Sequence, residues 1–117
     1  MKKLLFVIIL TFINAQTGSE IYLFDLLSVD DKYAIANPVN ISDNPGYDNQ
    51  PSFMKNGRQI LFSSTRNGQQ DICLYHIKSR KKTWMTDTKG GEYSPLQIGT
   101  SNAFSAIRLD PDGTQLL

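Results

Sequence analysis

The chain has 117 residues, which is enough for one small domain. It carries 12 Lys and Arg residues against 11 Asp and Glu residues, and this near balance excludes the strongly basic surface that nucleic-acid binding requires. A single cysteine, Cys73, excludes an internal disulfide bond. We therefore expect no nucleic acid among its partners.

The N-terminal segment has the pattern of a secretory signal peptide. Lys2 and Lys3 form a positive start, residues 4–13 are almost entirely apolar, and Ala15 is a small residue suited to cleavage. The apolar run is shorter than the roughly 20 residues that span a bilayer. A buried N-terminal strand or helix is the alternative. We predict a signal peptide over residues 1–15, a periplasmic or secreted product, and no membrane span after cleavage.

The remaining sequence contains an internal repeat with a spacing of 44 residues. Three segments recur at this spacing: Ile41-Ser42-Asp43 with Met85-Thr86-Asp87, Gln50-Pro51 with Ser94-Pro95, and Ile60-Leu61-Phe62-Ser63 with Phe104-Ser105-Ala106-Ile107. Two further pairs match at spacings of 45 and 51 residues: Arg66-Asn67-Gly68 with Pro111-Asp112-Gly113, and residues 20–25 with residues 71–76. We predict that a longer loop over residues 28–33 absorbs the extra length. Ordered spacings of this kind indicate diverged repeats.

Four short strands alternate with turns inside the best-preserved unit. The predicted strands cover residues 51–54, 59–65, 71–78 and 83–86. The predicted turns contain Gly57, Gly68 and residues 79–82 of the basic run Lys78-Ser79-Arg80-Lys81-Lys82. Alternation along a strand places Ile72, Leu74 and His76 on one face and Cys73, Tyr75 and Ile77 on the other. Four antiparallel strands in each repeat are typical of a propeller blade, so we predict an all-β fold.

This unit resembles the TolB-like β-propeller repeat, a WD40-like repeat of the PD40 type. The resemblance rests on Asp48-Asn49-Gln50-Pro51-Ser52-Phe53, Asn56-Gly57, Ile60-Leu61-Phe62-Ser63-Ser64, Arg66-Asn67-Gly68 and Asp71-Ile72. Asn56 stands where the family usually has Asp, and Cys73 stands where Tyr is common. The resemblance implies blades of four antiparallel strands, a six-bladed parent, and an exported, envelope-associated protein that works through protein contacts.

The resemblance divides residues 16–117 into parts of a propeller. Residues 20–43 would form the third and fourth strands of a first blade, residues 44–87 a full blade, and residues 88–117 a half blade. A closed propeller needs at least about four blades. We therefore expect this chain to be an incomplete copy, a truncated product or fragment of a longer propeller protein.

A protein-binding or scaffold module is the first functional hypothesis, with no catalysis by this segment. TolB itself places an α/β domain before its propeller, whereas here the first predicted strand begins soon after the cleavage site. The alternative is the N-terminal propeller part of a larger hydrolase, a prolyl-oligopeptidase-like serine peptidase whose catalytic domain is missing from this sequence. Gly99-Thr100-Ser101 approaches the Gly-x-Ser-x-Gly motif of such enzymes, but Ala103 occupies the last glycine position.

Two further motifs do not fit the chemistry that they suggest. Asp110, Asp112 and Thr114 lack the spacing of a sialidase-type Asp-box, of paired catalytic carboxylates and of a calcium loop. Asn40-Ile41-Ser42 is a glycosylation sequon, which has meaning only in a eukaryotic secretory route.

The remaining candidates have structural explanations. Cys73 lies in an apolar run and is predicted to be buried, while His76 points to the opposite strand face. Arg66 is expected to stabilise its turn by pairing with Asp71, or with Asp43 or Asp87. We predict no catalytic, cofactor-binding or metal-binding residues, no cofactor, and a protein partner that the sequence does not identify.

Overall fold

The structure is a computed structural model that describes residues 18–117, and the predicted signal peptide and its cleavage site lie outside these residues. The described part of the chain forms nine β-strands and contains no helix. In chain order the strands are β1 (Tyr22–Val29), β2 (Lys32–Asn40), β3 (Asn49–Phe53), β4 (Gln59–Arg66), β5 (Gln69–His76), β6 (Lys81–Trp84), β7 (Gly91–Gln97), β8 (Phe104–Leu109) and β9 (Gln115–Leu116).

The strands form three separate antiparallel sheets, none of which closes on itself. The first sheet pairs β1 with β2, the middle sheet has the order β3-β4-β5-β6, and the third sheet has the order β7-β8-β9. The sheets lie within residues 20–43, 44–87 and 88–117, the three ranges into which the repeat divides the chain. The all-β prediction is confirmed, and the assignment of the sheets to propeller blades remains a prediction.

β4 and β5 form the buried hairpin at the centre of the molecule. Their register pairs Phe62 with Cys73 and Leu61 with Leu74. Phe62 and Cys73 lie in one hydrophobic cluster, and Leu61 and Leu74 lie in another. Apolar and β-branched residues that alternate along these strands therefore serve two cores at once. This confirms the predicted division of residues 72–77 between two faces.

Two hydrophobic cores lie between neighbouring sheets. The first core lies between the first and middle sheets and consists of Ile21, Ile41, Ile60, Phe62, Cys73 and Tyr75. The second core consists of Met54, Leu61, Ile72 and Leu74, against which Phe104 and Ala106 of the third sheet pack. The middle sheet is thus covered on both faces, whereas the other two sheets are each covered on one face by the described residues.

The same irregularity recurs in two sheets. A β-bulge interrupts the pairing of β3 with β4, and another interrupts the pairing of β7 with β8. Gln50 and Ser94, which are 44 residues apart, lie in these bulges with φ angles of 53° and 51°. Ser94 N donates to Gln50 Oε1 over 2.8 Å, so the two bulges are in direct contact. Since a bulge bends its strand, the repeat in sequence is also a repeat in backbone shape.

The loop predicted over residues 28–33 is wrong. β1 continues to Val29 and β2 begins at Lys32, so that Asp30 and Asp31 alone make the turn. Their φ angles of 50° and 59° are those of a type I′ turn, which matches the twist of a hairpin. The extra length of the first unit is therefore a longer hairpin, and we call its tip, residues 26–35, the arm.

The strand predicted over residues 83–86 is displaced. β6 covers Lys81–Trp84, because the turn after β5 closes within residues 77–80. Lys81 and Lys82 are therefore strand residues, paired with His76 and Tyr75. Of the turn predicted over residues 79–82, only Ser79 and Arg80 lie in the hairpin turn.

Candidate functional site

An acidic and a hydroxyl side chain are joined at equivalent places in two sheets. Beside the first sheet, Ser42 Oγ donates to Glu20 Oε2 over 2.5 Å. The same oxygen accepts from the backbone N–H of Ile21, the residue after Glu20, over 2.9 Å. In the middle sheet, Thr86 Oγ1 donates to Asp71 Oδ1 over 3.3 Å. It accepts from the backbone N–H of Ile72, the residue after Asp71, over 2.8 Å. Each pair fixes the end of a strand, so these polar groups support the fold.

Arg66 extends the second of these pairs into a network. Its Nη2 nitrogen lies 3.0 Å from Asp71 Oδ2 and 3.2 Å from Asp87 Oδ1. The guanidinium carbon lies 4.7 Å from the centre of the Trp84 ring, within cation–π range. The predicted pairing of Arg66 with Asp71 and Asp87 is confirmed. Its pairing with Asp43 is not formed in the described structure, where Lys82 donates to the backbone oxygen of Asp43 instead.

Two acids at equivalent positions are buried, which the sequence analysis did not predict. Asp48 is 2% exposed and Glu92 is 3% exposed, and they are 44 residues apart. Asn44 Nδ2 donates to Asp48 Oδ1 over 3.5 Å, and the equivalent Thr88 hydroxyl donates to Glu92 Oε1. Each acid stands three residues before a proline at the same repeat spacing, and this signal could have identified them.

One oxygen of each of these carboxylates lies buried without a hydrogen-bond partner in the described structure: Asp48 Oδ2 and Glu92 Oε2. Burial raises the pKa of Asp48, and the nearby charge of Glu20 raises it further. Within residues 18–117, no three His, Cys, Asp or Glu side chains are grouped so as to hold a metal ion. The hydrogen bonds from Asn44 and Thr88 make the two acids parts of the sheet framework.

Cys73 and His76 occupy separate environments, as predicted from their spacing. Cys73 is fully buried in the first core, and burial raises the pKa of its thiol to about 11. The reactive thiolate is thus disfavoured at neutral pH. His76 Nδ1 instead lies 3.2 Å from Gln59 Nε2 at the far end of the hairpin.

The Asp110 to Thr114 segment is a tight turn between β8 and β9. Thr114 N donates to Asp112 Oδ1 over 2.9 Å, and this backbone hydrogen bond lowers the pKa of Asp112. Asp110 instead forms an ion pair with Arg108, whose Nε lies 2.9 Å from one of its carboxylate oxygens. The two acids thus serve a turn and an ion pair.

Ser101 lies in the exposed turn between β7 and β8. Its hydroxyl donates to Ile98 O over 2.7 Å and accepts from Ala103 N over 3.2 Å. Both contacts are local and close the turn, so the geometry gives Ser101 a structural role.

The first sheet turns an apolar surface away from the middle sheet. The pairing of Leu26 with Ile35 and of Ser28 with Tyr33 defines this side of the hairpin. We call it the front face, and its large side chains are Tyr22, Phe24, Leu26, Tyr33 and Ile35. Their exposed fractions range from 43% for Phe24 to 73% for Tyr33. Exposed apolar side chains grouped in this way make the front face a candidate interaction surface.

The third sheet carries a second apolar surface. Phe104 and Ala106 of β8 point toward the middle sheet, so the alternate residues point away from it. We call this outward surface the back face, formed by Leu96, Ile107 and Leu109, which are 59%, 37% and 37% exposed. The described structure therefore presents one apolar face at each end of its stack of sheets.

The opposite side of the arm is also apolar. Leu27 and Val29 lie there, 44% and 67% exposed, beside the acidic turn of Asp30 and Asp31. No corresponding extension exists in the hairpin of β5 and β6, whose turn closes directly after the core. The arm is thus the element that departs most from the repeat.

Comparisons with protein families, with curated proteins and with solved structures found no match to this chain. Among the residues that the structure describes, no helix has the length and apolar character needed to cross a membrane. The candidate functional site therefore rests on geometry, and consists of the arm and the two apolar faces.

Proposed function

We propose that the chain is an exported, TolB-like β-propeller protein that acts as a protein-binding or scaffold module of the cell envelope, without catalysis by this segment. The observation that carries the proposal is the repeated stacking of sheets. Leu23 of the first sheet packs into the core against the middle sheet, and Leu74, 51 residues later, lies in the core against the third sheet.

The strands that face the preceding sheet in these two contacts also repeat. Ile60 and Phe62 face the first sheet, and Phe104 and Ala106, each 44 residues later, face the middle sheet. Four strands in chain order with a recurrent face-to-face contact are the organisation of propeller blades. The stacking therefore supports the resemblance seen in the sequence.

A binding function is supported by the position of the arm. In a meander of antiparallel strands, alternate turns lie at the same end of the sheet. The Asn56-Gly57 turn and the turn at residues 77–80 therefore share one end of the middle sheet. Asp25, just before the arm, lines one cavity with Ile77 and Arg80, so the arm extends from this same end. Exposed Leu27 and Val29 beside this end give a partner apolar side chains to bury.

The binding proposal is tested by photo-crosslinking in cells that produce the chain. A photoreactive residue at Leu27, 44% exposed, is compared with one at Tyr47, which is 50% exposed but lies in the connection between the first and middle sheets. We expect a defined adduct with one envelope protein from position 27 and none from position 47. The adduct should disappear in a Val29→Asp variant.

Two results would contradict the binding proposal. One is an identical set of adducts from both positions, which would indicate random contacts. The other is an adduct that consists only of two copies of this chain. Reading the gene past Leu117 tests the hydrolase alternative, because a Gly-x-Ser-x-Gly elbow with an Asp/His pair encoded there would favour it over the binding module.

The export proposal is tested separately by cell fractionation and mass spectrometry of the intact chain. We expect the product in the periplasm or medium, beginning at Gln16. A Val7→Arg variant places a charge in the apolar run and should retain the chain in the cytoplasm, whereas the control Lys3→Arg keeps the positive start and should be exported. A cytoplasmic wild-type product that keeps residues 1–15 would overturn the proposal.

A further inference from the structure

We infer that copies of this chain associate head to tail, the front face of one copy packing on the back face of the next. The inference goes beyond the proposed function, because it rests on the observed stacking and does not require an envelope partner. It starts from the two contacts between sheets that the chain already makes within itself.

The front face matches one side of those internal contacts. Tyr22 and Phe24 precede Cys73 and Tyr75 by 51 residues, the spacing of the repeat. Cys73 and Tyr75 are buried where the middle sheet meets the first sheet. The front face therefore has the strand positions of a surface that is covered in the middle sheet.

The back face matches the other side. Ile107 follows Ser63 by 44 residues, and Ser105 follows Leu61 by the same spacing. Leu61 lies in the second core, where the middle sheet packs against the third sheet. Ser105 pairs with Leu96 and lies on the same side of β8 as Ile107, so the back face is the side of the third sheet that corresponds to the covered side of the middle sheet. The two faces are therefore the two sides of a contact between sheets that the chain forms twice internally.

The chemistry of the two faces also agrees. The front face offers aromatic and aliphatic side chains, the back face offers aliphatic ones, and none of the residues that define either face is charged. Contact between them would bury apolar surface without burying a charge. Because the faces differ, the interface is heterologous and joins copies in one direction.

The experiment uses sedimentation velocity of the purified chain over a range of concentrations. Leu26→Asp places a charge in the front face, and Ile107→Asp places one in the back face. Val29→Asp is the matched control, since Val29 is 67% exposed and Leu26 is 69% exposed on opposite sides of the same hairpin. We expect self-association of the unmodified chain and of the control, and association weakened by about tenfold or more in each face variant.

Mixing the two face variants gives the decisive result. Each retains one intact face, so a head-to-tail interface predicts that an equimolar mixture forms a heterodimer and nothing larger. Circular dichroism of each variant checks that it is folded, and the pair Ile35→Asp and Leu96→Asp repeats the test on neighbouring residues of the same two faces.

Several outcomes would overturn the inference. A wild-type chain that stays monomeric at every concentration excludes it. Association that survives in one face variant alone would indicate a symmetric contact, and a mixture without heterodimer would indicate non-specific aggregation. None of these outcomes depends on the crosslinking test, whose variant Val29→Asp is expected to keep self-association and lose the envelope partner.

Discussion

The hairpin of β5 and β6 and the hairpin of β1 and β2 have similar sequences and very different surroundings. Ile72-Cys73-Leu74-Tyr75 corresponds to Ile21-Tyr22-Leu23-Phe24, and both runs are apolar throughout. In the middle sheet all four residues are buried, whereas in the first sheet Tyr22 is 52% and Phe24 is 43% exposed. The difference arises from the neighbouring sheets and not from strand propensity.

This contrast shows where the stability of the described structure resides. The apolar area removed from water provides most of the driving force for folding, and the middle sheet contributes area to both cores. The first sheet contributes one face only. We therefore expect the middle sheet to be the last part of the molecule to open, and the arm to be among the first.

The largest expected effect comes from truncating the centre of the middle sheet. Phe62 is fully buried between two sheets, so Phe62→Ala should lower the free energy of unfolding by about 3–5 kcal/mol. Phe24→Ala, at a position that is 43% exposed, should lower it by about 1 kcal/mol or less. Urea denaturation at a concentration that keeps the chain monomeric measures both values.

Equal losses of unfolding free energy from these two substitutions would contradict the contrast between the two hairpins, because they would mean that the first sheet is as well covered as the middle sheet. A loss of unfolding free energy in Phe24→Ala that appears only at high protein concentration would support the contrast. Such a concentration dependence would show that a second copy of the chain covers the front face.

The hairpin of β3 and β4 in the middle sheet could be predicted closely from the sequence because its signals are local. The strand predicted over residues 59–65 is β4 (Gln59–Arg66), and the Asn56-Gly57 turn is found with Gly57 at a φ of 64°. Alternation of apolar residues fixes which side chains share a face. Turn residues with positive φ fix where the strands end.

The arm and the buried acids could not be predicted because their signals are weak or non-local. Asp30 and Asp31 form a two-residue turn without glycine, so the sequence indicated a loop in place of a hairpin. Asp48 and Glu92 become buried only in the folded chain, where residues distant in sequence surround them. Their equal spacing before a proline was visible, but its meaning depends on the stacking of the sheets.

A smaller effect is expected at the ion pairs of Arg66, which join a buried acid to an exposed one. Asp71 is 1% exposed and also accepts from Thr86, so Asp71→Asn should lower the free energy of unfolding by about 2 kcal/mol. Asp87 has a side chain that is 85% exposed, and Asp87→Asn should change it by about 0.5 kcal/mol or less.

A double-mutant cycle with Arg66→Met separates the ion pairs from other effects of each substitution. We expect a clear coupling energy between Arg66 and Asp71 that persists in high salt, and a coupling to Asp87 that salt removes. The reverse order would show that burial does not decide the strength of charge pairs in this sheet.

The smallest expected effect is a change in the pH dependence of stability at two acids with opposite shifts. Burial raises the pKa of Asp48, whereas the hydrogen bond from Ser42 lowers the pKa of Glu20. Between its unfolded and folded pKa values, Asp48 keeps its proton in the folded chain and loses it in the unfolded chain. Its contribution to stability therefore falls as the pH rises through that window.

Glu20 has the opposite sign, because its contribution is present above the unfolded pKa and is lost as the pH falls through the lowered folded pKa. We therefore expect Asp48→Asn to gain stability relative to wild type as the pH rises from about 3 to about 7, and Glu20→Gln to lose stability relative to wild type over the same range. Urea midpoints of both variants and wild type across this range measure the trend. Stability changes of the same sign in both variants would show that Asp48, buried at the start of the middle sheet, and Glu20, exposed at the start of the first sheet, lie in similar electrostatic environments. The contrast between the two sheets would then not extend to their acidic residues.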